Sequence, residues 1–420
     1  MKLERIRSVS FKTYLATVLL VALICIGTTS YVLSQSSSQT ITIEPPSFTE
    51  TASYTIFKVG DTIYAKNGTT GEIEFSGTDA SQVIQSAINA LTNGGKILIK
   101  AGTYLLSSPL TLNRYISLVG EEPYKSTWLV VNTNIPIFNL TEPDFTIENL
   151  FLDNWCDGYT QPLIKIISDN KNIQRGTIKN VMLYRNRVGY GYDDAIGIQL
   201  YAPTSGKGIT FLYFDKVYIM GGFKYGIHLY APDGGGWING NFFTNIALDG
   251  VKYGIYIEAL GSGTSGVVNR NTFSKVHIQA TNDAYGVTER GFVVSGVANT
   301  FDICKVWDLA EGKCAMEILS TAEDTIVRDS LLYGLINNGQ GSKLFNVEGY
   351  VTENSGTATI SSSTSVTFEH GLAGTPTHVE VGWKDTGYGD WKWTANSTHI
   401  TITVTNSGTY SFSWRAYYKP

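Results

Sequence analysis

Asp193 and Asp194 are adjacent carboxylates, and together with Lys224 they are the residues of this 420-residue sequence whose types best suit catalysis. Carboxylate oxygens are the ligands that calcium prefers, so the pair predicts a calcium site. Calcium bound to a uronate sugar acidifies its Cα–H, and Lys224 can then act as the base of a polysaccharide lyase. The positions 29 residues further on hold Gly222 and Phe223 and add no carboxylate. The alternative interpretation of the pair is a solvated turn without chemistry.

A glycoside hydrolase would need a second carboxylate at a defined distance. The two carboxyl groups stand about 5–5.5 Å apart in retaining enzymes and about 6.5–9.5 Å apart in inverting ones. Glu258 lies about seven strand positions from the level of Asp194, and at ~3.3 Å per residue the separation is near 20 Å. Glu258 is therefore a poor partner for Asp194, and a lyase is favoured over a hydrolase.

A short motif recurs along the chain at a period of 28 or 29 residues. It reads GIQLYAP at 197–203, GIHLYAP at 226–232 and GIYIEAL at 254–260. Apolar residues alternate with polar or aromatic ones, as in a half-buried strand, and the fixed period indicates a solenoid of stacked coils. Aromatic and polar groups in outward rows suit a glycan. The predicted glycan-binding residues are Gln199, Tyr201, His228, Tyr230, Tyr256 and Glu258. Taken alone, His228 is also interpretable as an ordinary surface residue.

A second series of strands supports the repeat. Its apolar anchors are 25 to 36 residues apart, and the variable spacing is typical of loops that tolerate insertion. The anchors are Ile147, Ile178, Phe214, Phe243, Phe273, Phe301 and Ile326, and Leu112 is predicted to start the series. Each coil therefore carries at least two strands with a sharp bend between them.

The composition is that of an all-β protein. Charged residues make up only 16% of the chain, while Gly (43) and Tyr (25) are abundant, which suits many strands and turns and few helices. The net charge of −5 supplies no basic surface, so nucleic acid is not an expected partner. Cys25 lies in the first apolar run, which leaves an odd number of cysteines and no disulfide framework. Whether Cys156 and Cys314 pair stays open.

The N-terminal region predicts export. Lys2, Arg5, Arg7 and Lys12 precede an apolar run at 14–33 that is long enough to span a bilayer. Residues 1–33 are therefore predicted to be a membrane-anchor helix, or a signal peptide if cleaved, and 34–53 a Ser-, Thr- and Pro-rich stalk. The rest of the chain is expected to be extracellular or at the cell surface. Consistent with this, Asn67, Asn139 and Asn396 begin glycosylation triplets.

One convincing helix is predicted after a short strand region. Asp79 is its N-cap, Val83 and Ile84 belong to its apolar face, and Gly94 and Gly95 end it. A strand and the turn Ala101-Gly102-Thr103-Tyr104 follow. This entry segment resembles that of the pectate-lyase superfamily of right-handed parallel β-helix proteins, in which a helix covers the open end of the stack of coils.

The resemblance implies a right-handed parallel β-helix over 54–351 with an N-terminal capping helix. It implies that the substrate groove follows the first strand of each coil, and that Asn149, Asn180 and Asn245 form the asparagine ladder at the tight bend. The segment 192–196 (YDDAI) resembles the Asp-Asp motif of polygalacturonases, but their other motifs are missing. The superfamily contains lyases, hydrolases and non-catalytic adhesins, so the resemblance fixes no activity.

Residues 356–420 are predicted to be a separate small β-sandwich, which loosely resembles modules appended to surface and tail-fibre-like proteins. Trp383 and Trp414 lie in alternating strands and are expected in its core. Trp391 and Trp393 follow a Gly-rich loop, where they are either glycan-binding or core residues.

Three functions remain open at this point. The leading hypothesis is a membrane-anchored, adhesin-like protein that binds polysaccharide or a cell-surface glycan. The alternative is a polysaccharide-degrading enzyme that uses Asp193, Asp194 and Lys224, as a calcium-assisted lyase before a glycosidase. The third is a structural spacer or coat component that forms a homo-oligomer through its C-terminal module.

Overall fold

The computed structural model describes Leu19 and residues 51–122, 126–185, 192, 194–261, 266–283, 286–384 and 389–419. The chain divides into two compact units, 1–49 and 50–420. Apart from Leu19, the predicted anchor at 1–33 lies outside the described residues, as does the stalk up to residue 50. Within the part of the chain that is described, no helix is both long enough and apolar enough to cross a membrane.

The second unit begins with an antiparallel meander and a capping helix. The helix α1 (Ala80–Ala90) buries its apolar face, and its N-cap Asp79 accepts a hydrogen bond from the Ser81 N–H at 2.9 Å, as predicted. Gly94, just after the helix, has φ +86°, and a Cβ there would lie 2.5 Å from that of Tyr115. The turn therefore requires glycine for its backbone conformation and for its close approach to the next coil.

Strands account for most of the remaining structure. Those up to residue 348 are β1 (Tyr54–Val59), β2 (Thr62–Asn67), β3 (Ile73–Gly77), β4 (Gly95–Ile99), β5 (Gly102–Leu106), β6 (Ile116–Gly120), β7 (Thr127–Val131), β8 (Phe138–Leu140), β9 (Thr146–Asn154), β10 (Pro162–Ile167), β11 (Ile173–Gln174), β12 (Thr177–Arg185), β13 (Ile196–Tyr201), β14 (Gly208–Thr210), β15 (Tyr213–Ala231), β16 (Trp237–Asn239), β17 (Phe242–Ala259), β18 (Val267–Asn269), β19 (Thr272–Gln279), β20 (Asn282–Asp283), β21 (Gly286–Val287), β22 (Arg290–Val297), β23 (Thr300–Asp302), β24 (Lys305–Trp307), β25 (Cys314–Glu323), β26 (Ile326–Leu331), β27 (Ile336–Asn337) and β28 (Lys343–Glu348). The last four strands are β29 (Glu353–Glu369), β30 (His378–Trp383), β31 (Trp391–Ala395) and β32 (His399–Tyr417).

Successive coils pair in parallel and form three ladders, which is the architecture of a parallel β-helix. The front ladder runs through β8, β10, β13, the C-terminal halves of β15 and β17, β22, β25 and β27. The narrow ladder runs through β11, β14, β16 and β18. The back ladder contains β4, β6, β9, β12, the N-terminal halves of β15 and β17, β19, β23, β26 and β28.

The pairing register confirms the repeat that the sequence predicts. Ile198 pairs with Ile227 and Ile227 with Ile255 in the front ladder, and all three are fully buried. In the back ladder Phe243 stacks on Phe273 with ring centroids 4.7 Å apart. Regular stacking of equivalent side chains therefore builds the core.

The sequence analysis predicted the wrong anchor residue at each end of the second series of strands. Phe301 pairs with Val327 rather than Ile326, and Ile147 pairs with Leu118 rather than Leu112. The apolar spacing located the strands but not their register, because neighbouring apolar residues satisfy the same pattern.

A buried asparagine ladder, which the sequence analysis did not identify, consists of Asn241, Asn271 and Asn299. The N–H and the side-chain amide of Asn241 both donate to Asn271 Oδ1, at 3.1 and 2.9 Å. Asn271 in turn donates its N–H to Asn299 Oδ1 at 3.0 Å and its side-chain amide to the Ile238 carbonyl at 3.0 Å. These amides satisfy backbone groups at the tight bend between the narrow and back ladders, where they have no access to water.

Asn149, Asn180 and Asn245 occupy a different, outward bend inside the back ladder, as the resemblance implied, and the Asn180 side-chain amide donates to Asn149 Oδ1 at 2.7 Å. Their φ angles are +60°, +53° and +55°, in the left-handed region that asparagine tolerates. Lys216 and Lys275 adopt the same conformation at equivalent positions. The bend therefore recurs in successive coils with or without asparagine.

The C-terminal module has its own apolar core. β29 and β32 pair antiparallel along most of their length, and β30 and β31 pair with opposite halves of β32. Phe368 and Trp414 belong to opposite halves of this sheet, yet their ring centroids are 5.0 Å apart. The module is thus one four-stranded sheet folded onto itself. β29 and β32 are each long, continuous strands. In the described chain Cys156, Cys304 and Cys314 are free thiols.

We expect Asn271→Ala to destabilise the protein by about 3 kcal/mol, because it leaves several buried backbone and amide groups without partners. The matched control is Asn180→Gly, which removes one outward amide contact of 2.7 Å to Asn149 and keeps the left-handed backbone accessible. Thermal and urea unfolding measure the difference. Equal destabilisation by the two substitutions would contradict the assignment of the buried ladder.

Candidate functional site

The outward side of the front ladder carries a continuous cluster of aromatic and polar side chains, which we call the front patch. Its members come from four successive coils. They are Lys165, Gln199, Tyr201, Tyr225, His228, Tyr230, Tyr253, Tyr256 and Glu258.

Local sequence explains why these side chains face outward. In each copy of the repeated motif two apolar residues point into the core, and the intervening residues point away from it. The motif opens with a glycine because neighbouring coils approach closely there: a Cβ on Gly226 would lie 2.8 Å from the carbonyl oxygen of Gly254. Parallel pairing then aligns Gln199, His228 and Tyr256 in one row.

His228 lies at the centre of the front patch. Its Nε2 is 3.0 Å from Glu258 Oε2, and its Nδ1 is 3.5 Å from the side-chain nitrogen of Gln199. The imidazole ring stacks on Tyr225, with centroids 4.7 Å apart. The side chain is only 7% exposed, so His228 is not the ordinary surface residue of the alternative interpretation. These contacts fix the orientation of the ring.

Tyr201 and Tyr230 stack in parallel at one end of the motif, and we call this pair the aromatic platform. Their ring centroids are 5.4 Å apart and the planes differ by 4°. The Lys165 ammonium lies 5.8 Å from the Tyr201 ring centroid, a distance at which a cation is attracted to the ring face. The platform thus combines a stacked pair of aromatic rings with a positive charge beside it.

Tyr225, Tyr253 and Tyr256 form a second aromatic group next to His228. The Tyr225 centroid lies 5.5 Å from that of Tyr253 and 4.9 Å from that of Tyr256. Burial raises the pKa of Tyr225 and of Tyr256, and the nearby carboxylate of Glu258 raises both further. The pKa of Tyr230 is raised by the same two causes. These phenols therefore stay neutral at physiological pH and are available as hydrogen-bond donors to a ligand.

Sequence reasoning missed Tyr225 and Tyr253. Strand alternation places Tyr225 on the face of Ile227, which is the core face. However, the N–H groups of Lys224 and Tyr225 both donate to the Ala195 carbonyl, at 2.8 and 3.4 Å. The regular strand pairing is interrupted at this point, and the Tyr225 ring lies on the outward side. The repeated Lys-Tyr-Gly triplets at 224–226 and 252–254 were the signal that the two tyrosines are equivalent.

Asp194 and Lys224 form an ion pair at the edge of the front ladder. The Lys224 ammonium is 2.8 Å from Asp194 Oδ1. This hydrogen bond lowers the pKa of Asp194 and raises the pKa of Lys224. A base must lose its proton, so the raised pKa of Lys224 opposes the role of a catalytic base.

The calcium site stays a prediction. Asp193 lies outside the described residues, and the carboxylate of Asp194 already binds an ammonium group. Across the described ranges, no group of three or more His, Cys, Asp or Glu side chains is placed to hold a metal ion. The described residues therefore provide few of the oxygen ligands, about six to eight, that calcium usually takes.

The other site residues predicted from the sequence, two tryptophans and three asparagines, do not belong to the front patch. Trp391 and Trp393 are half-buried in β31 and pack against the apolar core of the C-terminal module. Trp391 also lines a cleft of about 290 Å³. Asn67 and Asn396 accept backbone hydrogen bonds within tight turns, from Thr69 at 2.7 Å and from Thr398 at 2.9 Å. Asn139 lies in β8 and pairs with Lys165.

Parallel coils that pair in successive ladders, with a capping helix before them, define a parallel β-helix. Residues 71–312 match the family described as "Rhamnogalacturonase A/epimerase, pectate lyase-like", and the chain belongs to this family. The match includes the capping helix and the whole front patch. No curated protein matches the chain.

Several solved structures resemble the chain weakly. The tailspike gp49 of Acinetobacter baumannii bacteriophage Fri1, a capsular polysaccharide depolymerase, has a TM-score of 0.39 and 12% identity over 80% of this chain and 82% of its own. The catalytic domain of a GH87 α-1,3-glucanase has a TM-score of 0.38 and 17% sequence identity, over 64% of this chain and 57% of its own. The A-module of the Azotobacter vinelandii mannuronan C-5 epimerase AlgE4 has a TM-score of 0.32 and 13% sequence identity, over 64% of this chain and 91% of its own. At these TM-scores the likeness carries no argument about the site.

We expect Lys224→Met to raise the pKa of Asp194 toward its usual value, because the substitution removes the ammonium group that stabilises the carboxylate. Carbon-detected NMR titration of the aspartate carboxyl groups measures the shift. Lys165→Met removes a front-patch lysine that does not contact Asp194, and it serves as the control. An unchanged Asp194 titration in Lys224→Met would show that the ion pair does not form in solution.

Proposed function

We propose that this protein binds polysaccharide along its front patch. The observation that carries the proposal is the parallel stack of Tyr201 and Tyr230 at 5.4 Å beside the ordered His228 and Glu258 pair. Pyranose rings present apolar C–H faces that pack on aromatic rings, while their hydroxyl groups need hydrogen-bond donors and acceptors. The patch supplies both over successive coils, which suits a polymer that lies along the solenoid axis.

The family supports the same class of ligand, since its description names a rhamnogalacturonase.

We place the protein at the cell surface or outside the cell, with residues 1–33 as a signal anchor or a cleaved signal peptide. The basic residues and apolar run at the N-terminus support this location. Glycosylation at Asn67, Asn139 and Asn396, calcium binding and homo-oligomerisation remain parts of the proposal that follow from the sequence.

We expect Tyr201→Ala or Tyr230→Ala to weaken retention on the polysaccharide about tenfold, because each removes one ring of the aromatic platform. Affinity electrophoresis in gels that contain a panel of acidic and neutral polysaccharides measures retention. Tyr213→Ala is the matched control, since Tyr213 stacks on Phe242 at 5.1 Å on the back ladder and is exposed. Retention that falls equally in all three variants, or in none, would remove the front patch as the binding site.

A second candidate function is a polysaccharide-modifying enzyme with the same site. His228 oriented by Glu258 at 3.0 Å has the arrangement of a general base, and the neutral phenols of Tyr230 and Tyr256 can donate a proton. Together they suit abstraction of the Cα–H of a uronate followed by elimination or reprotonation. Hydrolysis is less well supported, because Glu258 is the single carboxylate among the front-patch residues, whereas a glycosidase uses a pair of carboxyl groups.

Incubation of the protein with the same polysaccharides tests this candidate. A lyase raises the absorbance at about 235 nm as unsaturated uronate forms, and a hydrolase raises reducing ends alone. If the protein is a polysaccharide-modifying enzyme, we expect His228→Ala to lower the rate of product formation at least about a hundredfold. Tyr213→Ala is the control that should leave this rate unchanged. Absence of products with polysaccharide still retained would favour binding without catalysis.

A further inference from the structure

A further cleft of the described residues lies away from the front ladder. It has a volume of about 730 Å³ and lies at the N-terminal end of the β-helix, where the outward faces of β1, β2 and β4 meet. We call it the entry groove. We propose that the entry groove is a second binding site, for the acidic groups of an anionic polysaccharide. The inference takes the class of polymer from the proposed function, but it uses none of the same residues.

Positive charges outnumber negative ones among the side chains that line the entry groove. Lys58, Lys66 and Lys100 line it together with one carboxylate, that of Glu121. Lys100 forms an ion pair with Glu121, and Lys58 forms no ion pair with any described residue. The cleft therefore carries an excess of positive charge in a protein whose net charge is −5. Cations that converge on a concave surface raise the local concentration of anionic ligands.

The walls of the entry groove favour a sugar polymer over a small inorganic anion. Phe57 lines the cleft, and its ring stacks on Tyr64 of the neighbouring strand with centroids 5.4 Å apart and planes 21° apart. Thr55 and Leu98 complete the floor. A uronate chain alternates apolar ring faces with carboxylates, so it can place rings against the aromatic wall and carboxylates against the ammonium groups.

Position makes the entry groove independent of the front patch. β1 pairs with β4, and β4 pairs with β6 in the back ladder. The front patch begins with Lys165 on β10, several strands later in the chain. A single long polymer that reaches both sites would bind more tightly than to either alone, because the second contact becomes intramolecular.

The test uses the full chain with Tyr201→Ala and Tyr230→Ala already introduced, so that the front patch is weakened. The probes are polygalacturonate and its methyl ester, which has the same backbone without charge. Biolayer interferometry at about 50 and 300 mM NaCl measures affinity, since salt screens contacts between exposed charges. We expect salt-sensitive binding of polygalacturonate only, and a loss of about fivefold in Lys58→Glu.

Lys343→Glu is the matched control, because Lys343 is an exposed strand lysine at the opposite end of the β-helix; we expect it to bind as the background does. Lys58→Gln removes the charge without reversing it and covers the case in which Lys58→Glu fails to fold. Equal losses for Lys58→Glu and Lys343→Glu, or equal binding of the methyl ester, would overturn the inference. Stronger capture by phosphatidylcholine vesicles that contain phosphatidylserine would also overturn it in favour of a membrane surface.

Failure of the entry groove and failure of the proposed function give different results. If the groove does not bind, the doubly substituted background binds polygalacturonate much more weakly than the unsubstituted protein, and Lys58→Glu has no further effect in either. If instead the front patch does not bind, the background and the unsubstituted protein retain polygalacturonate equally, and Lys58→Glu weakens both.

Discussion

The parallel hydrogen bonding between successive coils is the constraint on which the rest of this structure depends. Because side chains alternate across a strand, a shift of one residue in the register would exchange the core face and the outward face of a whole coil. The observed register aligns Ile198 with Ile227 and Ile255, so it also aligns Gln199 with His228 and Tyr256. The core and the front patch are therefore two results of the same pairing.

The bends between ladders must satisfy backbone groups that the strands leave unpaired. Buried amides do this at the bend before the back ladder, where Asn271 links Asn241 and Asn299. The outward bend needs only a left-handed backbone, and both Asn245 and Lys275 supply it. One bend thus depends on a particular side chain, whereas the other depends on a conformation. This difference lets the outward side of the β-helix vary in sequence while the coils stay aligned.

The same alignment sets the chemistry of the surface. It brings the imidazole of His228 to the Glu258 carboxylate of the next coil, at 3.0 Å, and it brings Lys224 to Asp194 of the preceding coil, at 2.8 Å. The first contact orders a ring within an aromatic cluster, and the second neutralises two groups that would otherwise suit metal binding and base catalysis. Membership of the family is consistent with several activities, so the function has to be argued from these contacts.

The sequence alone determined the solenoid, the capping helix and the outward positions of the repeated motif, because a fixed period and strand alternation are local properties. Tertiary structure decided the rest. Asn149 and Asn241 both recur at spacings of about one coil, and only the path of the backbone shows which series is buried. Tyr225 belongs to the core by alternation, but an irregular hydrogen-bond pattern accompanies its outward ring. The ion pair of Asp194 with Lys224 joins residues 30 positions apart. Contacts of this kind depend on how one coil is placed on the next, which no local pattern specifies.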